Sequence, residues 1–131
     1  MKKKLLAVVL GAAMTLSMAA CGAGDSKSST ESGSKSGSDF KVGIVLDVGG
    51  VNDGSFNQTS WEGLEKAEKE LGIKASYLES DSDGDYAANI ENFIDDDCDL
   101  IICVGYMLAD ATKTAAEENP DQKFAIIDDA T

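Results

Sequence analysis

From Phe40 onward the chain alternates short apolar runs with longer segments of helical spacing, and no other feature narrows its fold as much. KVGIVL, residues 41–46, is the first run. Residues 55–71 then carry Phe56, Trp61, Leu64, Ala67 and Leu71 at roughly helical intervals. Gly72 follows as a helix-ending residue. IKASYL, residues 73–78, reads as a second strand. Residues 85–94 carry Tyr86, Ile90, Phe93 and Ile94 on a second helix, with Asp83 or Asp85 as its cap. DLIICV, residues 99–104, is a third strand, apolar on both faces. Residues 108–118 form a third helix, with Pro120 just beyond its end. KFAIID, residues 123–128, is a fourth strand. Near-continuous apolar strands between amphipathic helices specify an α/β fold, a parallel sheet with helices on both faces.

Right-handed crossovers follow from that architecture. In such sheets ligands bind outside the carboxyl ends of the strands, near the point where strand order reverses. The residues just after strands one, three and four are therefore the candidates: residues 47–57, Gly105 with Tyr106, and Asp128 with Asp129. A doubly wound domain usually has more strands than four, so the chain reads as the N-terminal part of a longer protein.

The segment before Phe40 has a different character. Lys2, Lys3 and Lys4 precede a short apolar stretch, and Met18, Ala19 and Ala20 lead into Cys21. A basic start, an apolar centre and small residues make a secretory signal. With the cysteine placed there, residues 1–20 resemble a bacterial lipoprotein signal, and Cys21 becomes the lipidated first residue. Residues 21–38 are serine- and glycine-rich, with no large apolar side chain that would offset the entropy of ordering them. They read as a tether between a lipid and a domain at residues 39–131, a chain anchored to a membrane rather than spanning it.

Charge removes several functions. The formal net charge is −13, and cleavage after residue 20 would take away three lysines and no acid, leaving −16. Nucleic acid needs clustered Lys and Arg, so it is not expected as a partner. The chain has no histidine and no arginine. That excludes histidine acid–base chemistry, histidine metal ligands and bidentate arginine clamps. Cys98 and Cys103 along one strand would stand roughly 16 Å apart, beyond the 7 Å that a disulfide tolerates, so both read as buried apolar side chains.

LDVGGVNDGSFNQ, residues 46–58, has the glycines of a phosphate loop but no lysine between Lys41 and Lys66. It matches neither GxxxxGK[ST] nor GxGxxG. The helix start still offers backbone N–H groups, but Asp47 and Asp53 flank it, so a phosphate would meet uncompensated negative charge. DSDGDYAANIEN, residues 81–92, fails as a calcium loop because its sixth residue is Tyr86 and its twelfth is Asn92. The acidic run at residues 95–99 marks a helix end. Asn57-Gln58-Thr59 matches a glycosylation triplet that carries little weight behind a bacterial-type signal. No nucleophile–base pair is visible, and neither a cofactor nor a metal is expected. Asp47 and Asp128 at neighbouring strand ends could form a hydrolytic carboxylate pair, although binding is the simpler role. Composition alone reads Phe56 as a core aromatic. Yet Trp61 and Leu64 already supply a buried helix face, and an aromatic at a ligand-facing helix start suits stacking on a planar base. Asn57 beside it suits a base edge, and an Asp suits ribose hydroxyls.

VGIVLDVGGVNDGSFNQTSWEGLEKA, residues 42–67, strongly resembles the basic membrane protein family of bacterial lipoproteins, purine-nucleoside receptors of ABC importers. VGYMLADA at residues 104–111 and KFAIIDD at residues 123–129 support the match. The resemblance implies a type I periplasmic-binding-protein fold, with two α/β lobes about a ligand cleft, of which this chain supplies most of the first lobe. It implies that Phe56 stacks on the base, that Asp47 and Asn57 hydrogen-bond it, that Gly105 and Tyr106 form cleft wall, and that Asp128 or Asp129 takes the ribose hydroxyls. The expected partners are a purine nucleoside, an ABC permease and, through the lipid on Cys21, the extracytoplasmic face of the cell membrane. The expected role is binding, not catalysis. A receptor for a sugar or other small polar ligand on the same fold is the alternative, and a secreted carboxylate-dependent hydrolase a more distant one.

Overall fold

In the computed structural model, which describes residues 39–129, strands and helices alternate throughout. They are β1 (Lys41–Val45), α1 (Phe56–Leu71), β2 (Lys74–Leu78), α2 (Tyr86–Asp95), β3 (Leu100–Val104), α3 (Ala109–Glu118) and β4 (Phe124–Ile127). Single 3-10 turns, Asp83–Asp85 and Tyr106–Leu108, lead into α2 and α3. The signal at residues 1–20, Cys21 and the linker to residue 38 lie outside the described residues.

All four strands pair in parallel in the order β2-β1-β3-β4. The step from β1 to β2 runs one way across the sheet, and the steps to β3 and β4 run the other way. Right-handed crossovers therefore send α1 to one face and α2 with α3 to the opposite face. The two buried clusters follow this division. Val42, Ile44 and Leu46 of the β1 segment join Leu64 and Val104 beneath α1. Val45, Ile101 and Cys103 join Tyr86, Ile90, Phe93 and Leu108 beneath α2 and α3. Alternate residues of β1 and β3 thus serve opposite faces, which is why both strands read as continuous apolar runs. Gly43 of β1 lies under the Phe93 ring, where any added Cβ would overlap it. Each fully buried Ile or Leu contributes about 1.5–3 kcal/mol. The exposed Lys66–Glu70 pair at 3.9 Å adds little beside that.

Helix α1 departs from the spacing read in the sequence. Its inward stripe runs through Asn57, Trp61 and Leu64, with Trp61 edge-on to Tyr77 of β2 at 4.8 Å. That phase lies one residue, about 100°, beyond Phe56, and Phe56 stands 53% exposed. Leu71, at the far end, is exposed too. Gly72 ends the helix in the left-handed conformation, its N–H donating to the Glu68 carbonyl. Cys98 sits just before β3 and Cys103 within it, and both are free and buried. Burial pushes the Cys103 thiol up to about 11.

Candidate functional site

The register of the sheet assembles one edge. Val45 lies opposite Cys103, and Cys103 opposite Ile126. Two residues further on, Asp47, Gly105 and Asp128 come abreast at the carboxyl ends of β1, β3 and β4, where the Gly105 N–H donates to the Ile127 carbonyl at 2.9 Å. β1 and β3 are adjacent strands whose crossovers leave in opposite directions, the switch point where ligands of such folds bind.

Asp47 is the centre of this edge. Its Oδ1 accepts the Gly49 N–H at 2.8 Å and the Asn57 side-chain amide at 2.7 Å. Its Oδ2 faces Gly105, where an added Cβ would stand only 2.8 Å away. Gly105 also holds φ 99, ψ 141, a region essentially confined to glycine. Both glycines bracket the carboxylate, for a Cβ at Gly49 would come within 3.0 Å of Oδ1. Asn57 lies wholly buried behind Asp47. Its orientation is settled by chemistry: a carboxylate only accepts, so Nδ2 must face it. Asn57 Oδ1 is then left buried with no donor, at a typical cost of about 1–3 kcal/mol.

The loop between β1 and α1 spends its amides on its own carboxylates. Asp53 accepts N–H groups from Ser55, Asn57 and Gln58 at 2.8, 3.1 and 3.0 Å. Those bonds, that of Gln58 foremost, hold its carboxyl below the ordinary value. Glu79, just past β2, accepts the Val51 N–H at 2.7 Å. The sequence pointed to free helix-start amides beside an uncompensated Asp53. The structure corrects this: Asp53 itself occupies the place of an anion at the N-terminus of α1. A phosphate would have to displace a bound carboxylate.

Around this loop stand exposed apolar side chains. Phe56 opens α1, Tyr106 and Met107 follow β3, and Val48 follows Asp47. Phe56 borders a hollow of about 390 Å³ with Ser55, Thr59, Ser60 and Ile127. A larger hollow of about 530 Å³, between Asp97, Glu118 and Asp121, lies at the amino-terminal end of the sheet, remote from all of them. Of the two acids after β4, Asp128 is exposed with φ 68, while Asp129 is half-buried with one carboxylate oxygen enclosed and lacking a donor. Burial pushes the Tyr86 hydroxyl above its ordinary range, with the Asp83 and Asp47 carboxylates acting in the same direction. Asn57 Oδ1, the Tyr86 hydroxyl and Asp129 Oδ2 are the buried side-chain atoms without a hydrogen bond among the described residues. All three belong to this edge.

Six side chains or positions were expected at the site. Asp47, Phe56, Gly105, Tyr106 and Asp128 reach the carboxyl edge with an accessible face or a backbone role. Asn57 reaches it from behind, with no surface for a ligand. One participant, Glu79, and one role, that of Asp53, are absent from the sequence reading. Glu79 staples the loop from the end of β2, the one strand whose carboxyl end had been passed over. Asp53 caps the helix, and its position two residues before Ser55 is the signal that could have marked it.

The family described as ABC transporter substrate-binding protein PnrA-like matches residues 40–131. A CD4+ T-cell-stimulating antigen of Listeria innocua is 40% identical over 135 residues, covering 98% of this chain and 38% of the relative. The ABC transporter nucleoside-binding protein BmpA of Lactococcus lactis is 37% identical over 133 residues, covering 98% of this chain and 37% of its own length. The chain thus spans little more than a third of these relatives. A crystal structure of ABC transporter system solute-binding proteins from Aeropyrum pernix superposes with a TM-score of 0.65 at 31% identity, over 70% of this chain and 25% of that one.

Proposed function

This chain belongs to the PnrA-like family of ABC transporter substrate-binding proteins, and from that premise we propose that it forms the nucleoside-recognising lobe of a lipid-anchored receptor for an ABC importer. The observation that carries the reading is Phe56, an aromatic held 53% exposed on the first turn of α1, at the same carboxyl edge as Asp47, whose carboxylate is held by two hydrogen bonds. A planar base stacks on the ring, and its N–H donor meets the free oxygen of Asp47. The ribose hydroxyls go to Asp128, which is exposed and in line with Gly105, while Tyr106 forms wall. The loop's amides are already occupied by Asp53 and Glu79, which favours an uncharged ligand over a phosphorylated one.

Capture proceeds by closure of a second lobe over this edge, and the ligand passes to a membrane permease without chemical change. Cys21 carries the lipid that keeps the receptor on the extracytoplasmic face of the cell membrane. The relative from Lactococcus lactis bears nucleoside binding in its name, in line with the ligand class. Isothermal titration of the full-length protein with inosine, guanosine and adenosine tests the reading. Heat and a thermal shift with at least one purine nucleoside are expected. Silence with all three would sink it, and ribose outcompeting them would make the ligand a sugar.

A further inference from the structure

We propose that Asn57 is a positioning residue for Asp47 and makes no contact with the ligand. The inference rests on the nucleoside reading above for its binding assay, but its geometry is independent of it. A side chain that touches ligand in this lobe must present accessible atoms to the crevice, and Asn57 is 0% exposed. Its Nδ2 reaches Asp47 Oδ1 at 2.7 Å, the oxygen that the Gly49 N–H also bonds. Oδ1 is thereby fully engaged by protein donors. Oδ2 has no donor among the described residues, and the space beside it is kept by Gly105, whose added Cβ would stand 2.8 Å away. The pair of bonds therefore fixes which oxygen is presented and along which direction. An acceptor presented in that way selects a ligand by its N–H or O–H donor.

The orphaned Asn57 Oδ1 argues that the residue is not there for packing. Leucine, an apolar side chain of similar volume, would remove an unmatched buried acceptor, and what it would cost is the bond to the Asp47 carboxylate, so that bond and not packing accounts for an amide here. What leucine cannot do is donate to Asp47. Asn57 also follows the phase of α1 that faces inward with Trp61 and Leu64, so the helix turns it in to the carboxylate while Phe56, one residue earlier, stays exposed. One turn of one helix thus supplies both the exposed ring and the hidden brace.

The test is a double-mutant cycle in the full-length protein, using Asn57→Leu, Asp47→Asn and the double variant, with inosine and guanosine as titrants. Each single change should weaken binding at least tenfold, and the double variant should be no weaker than the worse single, within about twofold. Losses that multiply would overturn the proposal, since Asn57 would then hold the ligand itself. Asn57→Ser runs alongside as a smaller change, with the same loss and the same non-additivity expected. A ligand-free readout separates this inference from the nucleoside reading. The Gly49 amide shares Oδ1 with Asn57, so its hydrogen exchange should quicken at least tenfold in Asn57→Leu. Unchanged Gly49 exchange would overturn the positioning role whether or not any nucleoside binds, whereas a wild-type protein silent to nucleosides with the quickened exchange retained would fail only the ligand assignment.

Discussion

Replacing Gly105 with alanine should cost stability through two routes that the structure lets one weigh. The backbone there holds φ 99, ψ 141, a region in which a residue with a Cβ is strained by about 1–3 kcal/mol. The new methyl would also stand 2.8 Å from Asp47 Oδ2. The carboxylate can turn away, but only by weakening its bonds to the Gly49 N–H and the Asn57 amide. A hydrogen bond to a charged group is worth about 1.5–3 kcal/mol. Strain plus the partial loss of one such bond gives roughly 2–5 kcal/mol. With a urea slope of about 2 kcal/mol/M, the denaturation midpoint of the full-length protein should fall by roughly 1–2.5 M. Gly63→Ala is the control: it lies within α1 with nothing inside 4 Å of an added Cβ, and should stabilise by about 0.5–1 kcal/mol. A Gly105→Ala midpoint equal to wild type would refute the assignment of Gly105 as the open side of Asp47. So would a Gly63→Ala loss as large as that of Gly105→Ala, because the effect would then belong to glycine replacement in general.

Phe56→Ala should weaken nucleoside binding by about 1–3 kcal/mol, as for other base–aromatic stacks. Its melting temperature should hardly change, because the ring is half exposed; titration and thermal unfolding read the two effects separately. Asp53 is held below its ordinary 3.8 first by the Gln58 N–H and then by those of Ser55 and Asn57. Its folded value lies below its unfolded one, so its contribution is present above 3.8 and fades as pH falls through the folded value. Urea midpoints of wild type should therefore drop more steeply than those of Asp53→Asn as the solution is acidified below 3.8, and parallel curves would contradict the capping role. Cys98 and Cys103 are buried, with the Cys103 thiol pushed up to about 11, so iodoacetamide at about pH 8 should modify them only after unfolding. Mass spectrometry of the native protein showing rapid labelling at either site would place that thiol outside the core.

The order of elements was legible because it depends on local patterns: apolar runs of strand length, helical spacing between them, Gly72 and Pro120 as punctuation. Strand ends were legible to within a residue or two, and with them the carboxyl edge, since Asp47, Gly105 and Asp128 simply follow the last apolar residue of each run. The orientation of Phe56 and Asn57 was less so. Both lie in one helical turn, and apolar spacing favoured burying Phe56, while the structure buries Asn57. A polar side chain buried in preference to an aromatic defeats any pattern based on hydrophobicity. It happens because a carboxylate waits for the amide on the inner side.

Sequence by itself determined the parallel α/β architecture, the residues that follow each strand at its carboxyl end, and a glycine-rich loop without a lysine. These rest on composition and period, which each segment carries alone. Tertiary structure decided the rest. The register placed Asp47 opposite Gly105, the phase of α1 turned Asn57 inward, and Asp53 and Glu79 closed onto the loop amides. The bonds of Asp47 to Asn57 and of Glu79 to Val51, both 2.7 Å, join residues from different segments, and a hydrogen bond at that range depends on where the whole sheet sets two backbones, which no single stretch of chain encodes; those of Asp53 close within a few residues of one loop.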